Sequence, residues 1–211
     1  MKKALCVLLC LALSFSFAAC QNKKSDNSSE SAISSSGEAK LTSSKTNTEP
    51  DKNILVAYYS ATGSTKAVAN IIAETLGADI FEITPVDPYT SEDLNWNDEG
   101  SRVSVEHNEE SKRTVPLVKA VPDNWEKYDT VYIGYPIWWG IAAWPVNGFV
   151  SANDFTAKTV IPFCTSASSG FGESGRQLSK ITGTGNWLGG KRFSSNASEK
   201  EVTEWLESLA V

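Results

Sequence analysis

The chain has 211 residues, 41% hydrophobic and 21% charged, which fits one globular domain with an extension. With Lys2 and Lys3 set aside, it carries 17 basic against 25 acidic residues, a net charge of −8. That balance argues against a nucleic-acid partner and against docking on anionic lipid through the body of the protein.

The elements are taken in chain order. Lys2 and Lys3 precede an apolar stretch, Ala4 to Ala18, that is short for a membrane span and has the layout of a secretory signal. Phe17-Ala18-Ala19-Cys20 resembles the lipobox of bacterial lipoproteins. The resemblance implies a signal peptide over 1–19, cleavage before Cys20 and lipid on the Cys20 thiol, placing the protein on the outer face of a cell membrane. The alternative is ordinary secretion with cleavage near Ala19. Cys6 and Cys10 depart with the signal, so Cys164 is the one free thiol and no intramolecular disulfide forms.

Residues 20–50 read as the lipidated cysteine and a tether. Nine of the thirty residues from 21 to 50 are serine and four lysines balance four acids, so too little apolar surface is present to offset chain entropy. As a flexible coil this segment spans roughly 30 Å. Residues 51–211 form the domain and hold the whole charge excess.

Within it, Asn53 to Tyr59 reads as a buried strand. Val68, Ile71, Ile72 and Leu76 recur at helical spacing until Gly77, and Asp79 to Thr84 is a second strand ended by Pro85. Residues 85–128 are polar, with helical potential over 91–112. Tyr89, Trp96 and the acids between Asp87 and Glu110 make this either a solvated insertion or a cover for a ligand. Thr130 to Tyr135 is a third strand, Pro145 to Val150 a short helix, and Thr159 to Cys164 a fourth strand. Pro162 is awkward there, because it removes a ladder donor. A helix over 172–181 and a fifth strand over Trp187 to Phe193 follow. In the last helix, Ser198 to Glu201 is a capping box ahead of a stripe of Val202, Trp205, Leu206 and Leu209. Apolar strands alternating with helices predict a parallel sheet covered on both faces, with ligands beyond the carboxyl ends of the strands.

Three loops should converge at those ends. Ser60-Ala61-Thr62-Gly63-Ser64-Thr65 opens a helix, so unpaired amides, the positive helix end and four hydroxyls suit a phosphate monoester. It is neither a Walker A loop nor a dinucleotide fingerprint. Lys66, in the first helical turn, reads as solvated surface. Pro136-Ile137-Trp138-Trp139-Gly140 offers an aromatic wall to a flat ring or simply packs inward. Thr165 to Gly172 is small and hydroxylated. His107 stands alone, with no partner for a metal site or a catalytic triad. Cys164 reads as a buried apolar filler.

Ser-x-Thr-Gly-x-Thr after the first strand, Gly-Tyr-Pro-Ile-Trp-Trp-Gly after the third, and Val-Ile-Pro-Phe-Cys-Thr-Ser running into a Gly-rich loop together resemble the flavodoxins, over residues 52–211. The likeness is to the group whose chains carry a YPIWWG segment; similar chains also have proline at the position of Pro162. It implies a doubly wound, five-stranded parallel sheet of order 2-1-3-4-5 and an FMN cofactor. Ser60, Ala61, Thr62, Gly63, Ser64 and Thr65 would hold the 5′-phosphate. Pro136, Ile137, Trp138, Trp139 and Gly140 would line one side of the ring, and Thr165, Ser166, Ser169, Gly170, Phe171 and Gly172 its other edge. No catalytic residue and no metal is implied. The expected function is electron transfer with a redox protein partner or a small electron acceptor, outside the cytoplasm. An FMN-dependent NAD(P)H:quinone or small-acceptor reductase is the alternative within that chemistry, and a flavin-free binding module is the alternative outside it.

Overall fold

Ile54 to Tyr58 form β1, and every one of its residues is buried, in a computed structural model that describes residues 53–209. An unbroken apolar run of this kind needs cover on both faces, and it has it. Leu55 and Ala57 pack with Val131, Ile133, Phe149 and Leu178 in one core cluster. Val56 and Tyr58 pack on the other face with Val68, Ile72, Ile161 and Trp205. The signal, the lipidated Cys20 and the tether expected over 1–50 lie outside the described residues.

After β1 come α1 (Ser64–Leu76), β2 (Asp79–Glu82), α2 (Arg102–Asn108), β3 (Thr130–Trp138), β4 (Ile141–Ala142) and α3 (Pro145–Ala152). Then follow β5 (Thr159–Thr165), α4 (Ser174–Thr182), β6 (Asn186–Trp187), β7 (Lys191–Phe193) and α5 (Glu199–Ser208). The main path of the sheet is β2-β1-β3-β5-β6 and all of its pairings are parallel. The switch point therefore lies between β1 and β3, which start helices running to opposite faces.

The sheet has seven strands rather than the five expected, and two local causes account for the difference. First, β3 does not stop at Tyr135. It runs on to Trp138 and folds back, pairing Trp138 with Ile141 and Ile137 with Ala142. The two turn residues, Trp139 and Gly140, both have positive φ, 47° and 79°, as a type I′ hairpin requires.

Second, the final strand is interrupted. Val160 pairs with Trp187 and Phe163 with Lys191, so Ile161 and Pro162 face three residues, Leu188 to Gly190. This is a bulge. Leu188 N–H donates to Val160 C=O and Ser166 N–H to Phe193 C=O, so the even-numbered residues of β5 face this edge. The donor that Pro162 lacks is thus missing at the bulge itself, where no ladder partner is owed. A Cβ on Gly190 would lie 2.2 Å from the Phe171 ring and 2.5 Å from the Pro162 carbonyl, which confines that position to glycine.

The polar stretch from 85 to 128 is less helical than its composition implies. It holds only α2 and two short 3₁₀ turns, Glu110–Arg113 and Trp125–Lys127. In α5 the Ser198 hydroxyl accepts from Glu201 N–H at 3.2 Å, the half of the capping box made by serine.

Candidate functional site

The first loop leaves β1 at the switch point and turns into α1. The Ser60 hydroxyl accepts from Gly63 N–H at 3.1 Å, closing the turn, and Gly63 sits at φ 93°, a conformation that favours glycine. The first intrahelical bond runs from Ala67 N–H to Gly63 C=O. The amides of Ser64, Thr65 and Lys66 precede it and face out of the helix end. The first turn contains no acid, and no side chain caps it. Thr62 and Gly63 are exposed and Ser64 is half-buried, so amides and two hydroxyls surround an uncapped positive helix end. A dianionic phosphate fits that donor set.

Thr65 points the other way. It is buried, and its hydroxyl lies 2.8 Å from the Thr165 hydroxyl, tying the first loop to the end of β5. Lys66 pairs with Glu82 at 3.0 Å, and Glu82 also accepts from the Tyr58 hydroxyl. The ion pair is half exposed; burial and the Glu82 partner push the Tyr58 phenol up to about 12.

Beside this turn lies a cleft of about 560 Å³, the size of a typical ligand pocket. Ala61 and Thr62 border it from the first loop, Pro136 to Trp139 from the hairpin, and Ser166 to Ser169 from the third loop. The three loops do converge. Of the other residues expected here, Ser60, Gly63, Ser64 and Thr65 belong to the helix start, Gly140 to the hairpin turn, and Thr165 lies buried beneath. Gly170 and Gly172 stand outside the cleft lining, and Phe171 turns inward against Gly175 and Gly190.

The hairpin wall is braced by aromatic packing. Trp138 meets Tyr59, Tyr89 and Trp144 edge to face, with ring centroids 5.7, 5.1 and 4.9 Å apart. Trp139 is 42% exposed and stacks on His107 at 4.3 Å and on Trp144 at 6.0 Å. His107 thus has a packing role behind the wall.

Sequence reasoning missed what holds that wall. Glu106, on α2, is buried and receives three hydrogen bonds: from Trp144 Nε1 at 2.6 Å, from the Tyr89 hydroxyl at 2.6 Å and from Arg102 Nε at 2.8 Å. Arg102 also lies over the Tyr89 ring at 3.9 Å. Burial, then the Glu106 bond, hold the Tyr89 phenol well above its ordinary range. Residues 85–113 are mostly exposed, but Tyr89 and Val103 pack against the hairpin, and Leu94, Trp96 and Val103 border the cleft. Arg192, on β7, was missed too. Its guanidinium donates to the Ser166 hydroxyl and to the Ser166 and Ala167 carbonyls, at 3.1, 2.7 and 3.1 Å. It fixes the third loop. The signal available was a lone arginine in the last strand; its partners 25 residues earlier were not visible.

A doubly wound α/β domain with an uncapped, hydroxylated helix start beside an aromatic cleft at the switch point belongs to a ligand-binding class of known shape. Residues 53–209 match the family model described as Flavodoxin, and the chain belongs to the flavodoxin family. Two solved structures assigned as flavoproteins agree. One, from Bacteroides eggerthii DSM 20697, is 42% identical, covers 75% of this chain and 98% of its own, and has a TM-score of 0.68. The other, from Bacteroides uniformis ATCC 8492, is 40% identical over 74% of this chain and 97% of its own, also at 0.68. A flavoprotein from Lactobacillus acidophilus NCFM, in complex with FMN, shares the fold at 21% identity and a TM-score of 0.53, over 74% of this chain and 99% of its own. A comparison with curated proteins gives no match.

Proposed function

We propose that the domain binds FMN and serves electron transfer outside the cytoplasm, held to a membrane through lipid on Cys20. One observation carries the cofactor: the phosphate-compatible helix start opens directly beside a cleft walled by Trp138 and Trp139 and edged by hydroxyls. Membership of the flavodoxin family supports the same reading. When bound, FMN supplies one- and two-electron chemistry, and the chain supplies position and environment. The amides of Ser64, Thr65 and Lys66 with the Thr62 and Ser64 hydroxyls would take the phosphate. Pro136 to Trp139 and Ser166 to Ser169 would hold the ring between them.

The location rests on residues 1–20: a basic start, an apolar stretch and small residues before Cys20. A tether favours partners fixed in the same membrane, hence a carrier between redox proteins. A reductase passing electrons from NAD(P)H to a quinone is the second reading, favoured by the exposed rings of Trp96 and Trp139 at the cleft, which leave room for a flat acceptor. Fluorescence titration of the ligand-stripped protein with FMN and riboflavin tests the cofactor. Tight quenching by FMN and much weaker quenching by riboflavin is the expected result; no binding of either refutes the proposal. NADH oxidation by the loaded protein with a quinone then separates reductase from carrier.

A further inference from the structure

A second cavity, of about 590 Å³, shares no lining residue with the flavin cleft. It lies between α3 and α4, with the 3₁₀ turn Glu110–Arg113 at its rim. The β3–β4 hairpin separates the two: β3 residues border the cleft and β4 residues border this cavity. We propose that it is a second ligand site, for a small amphipathic anion: a carboxylate, sulfonate or phosphate on an apolar body.

The lining supports that class from two directions. Val115, Ile141, Ala142 and Leu178 form an apolar floor, which favours a hydrocarbon or aromatic portion. Above it stand two cations, Arg113 and Lys180, against one acid, Glu110. A local positive excess is notable in a chain whose net charge is −6, since such a body otherwise repels anions. The two cations come from different elements, the 3₁₀ turn and α4, so a charge between them meets both walls.

Neither cation is used up. Arg113 donates through Nε to the Glu106 carbonyl and through Nη2 to the His107 carbonyl, which fixes the guanidinium and leaves Nη1 without a protein partner among the described residues. Lys180 forms no ion pair among them. Asn147 on α3 and Gln177 on α4 also line the groove and add neutral donors. A held cation beside apolar surface recognises an anion more strongly than one free in water. The intervening hairpin keeps such a ligand off the flavin ring, so this site takes a ligand that is not the electron acceptor.

The test uses 1-anilinonaphthalene-8-sulfonate, an aromatic sulfonate that fluoresces on leaving water, with FMN in saturating excess so that the flavin cleft is filled. One saturable site is expected. Lys180→Glu should weaken it about tenfold by reversing one wall charge. Ser151→Trp, an exposed position of α3 pointing a large ring into the groove, should abolish it, with FMN quenching unchanged in both variants as proof of folding. The neutral probe N-phenyl-1-naphthylamine should bind the wild type about tenfold less tightly than the sulfonate. Equal sulfonate binding by wild type and variants, uptake that disappears once FMN is added, or equal binding of the neutral probe overturns the proposal. A protein that takes up the sulfonate at this site but no FMN keeps the second site and loses the flavin reading, so the two fail separately.

Discussion

Trp144 Nε1 donates to Glu106 Oε2 at 2.6 Å, joining a residue at the start of α3 to a carboxylate on α2, 38 positions earlier. Both are buried, and the same carboxylate holds Arg102 and Tyr89. Replacing Glu106 by alanine leaves the Trp144 and Tyr89 donors without a partner and Arg102 with only its contacts to the exposed Asp87. Loss of about 3 kcal/mol is expected, within the range for breaking a buried pair from one side. Trp144→Phe removes the N–H together with part of a fully buried ring, so a lost hydrogen bond and a small cavity together should cost about 2–3 kcal/mol. Urea denaturation of the two single variants and the double checks this, and a coupling energy near zero would refute the bond's contribution. Because Trp144 backs Trp138 and Trp139, FMN affinity should fall in Glu106→Ala as well.

Ser64 opens α1 where no acid and no capping side chain stands. Aspartate there has two opposite effects. It complements the helix dipole, raising the stability of the flavin-free protein by about 0.5 kcal/mol. It also sets a negative charge against the phosphate, lowering FMN affinity by about tenfold or more while riboflavin affinity stays unchanged. Paired thermal melts and flavin titrations read both. A parallel loss for riboflavin would mean that the phosphate sits elsewhere.

The Thr65 and Thr165 hydroxyls satisfy each other at 2.8 Å in a buried place, linking the phosphate turn to β5. Thr65→Val strands one hydroxyl and should cost about 1–2 kcal/mol, whereas the double change to valine leaves nothing unpaired and should recover most of it. Denaturation midpoints decide between that cycle and simple additivity. FMN titration of the double variant adds a second reading. Unchanged affinity assigns the Thr65 hydroxyl to the loop link, and a large loss assigns it to the phosphate.

What was legible in the chain follows from how local each signal is. Ile54 to Tyr59, the hydroxylated turn and the Val68–Leu76 stripe each declare themselves within a few residues, and the cleft they position was predictable from strand ends alone. The hairpin was not. Pro136 and Gly140 read as loop residues, and a type I′ turn ordinarily announces itself through Asn-Gly, whereas tryptophan occupies the first position here. The break in the last strand was half visible, in Pro162 and Gly189-Gly190, but only pairing puts them opposite one another. Glu106 and Arg192 were invisible because each acts on residues far away in sequence; a polar stretch gives no sign of which acid will be buried.

Gly190 tests the bulge. An alanine there drives its Cβ into the Phe171 ring and the Pro162 carbonyl. The ring can move and the backbone oxygen cannot, so Gly190→Ala should cost about 2–3 kcal/mol, and Phe171→Leu should relieve only part of it. Full rescue by the leucine would show that the carbonyl contact is absent.

Cys164 is buried in β5, and burial pushes its thiol up to about 12, with Arg192 opposing weakly. Tyr132 is pushed up to about 12 by burial as well. The sign follows directly. Each group stays protonated in the folded protein while the unfolded chain loses its proton near the ordinary value, so the stability they confer is complete below about pH 8.5 and is lost as pH rises toward 12. Cys164→Ala removes the thiol's share. Between roughly pH 9 and 12 its stability should fall less steeply than the wild type's, by up to about 1.4 kcal/mol per pH unit, the limit for one proton. Denaturant melts across that range measure the two slopes. A thiol reagent at pH 8 gives an independent check: Cys164 should stay unmodified in the native protein and react on unfolding. Rapid native labelling would show that the strand end opens to solvent, and parallel alkaline slopes would show that the thiol ionises in the folded state.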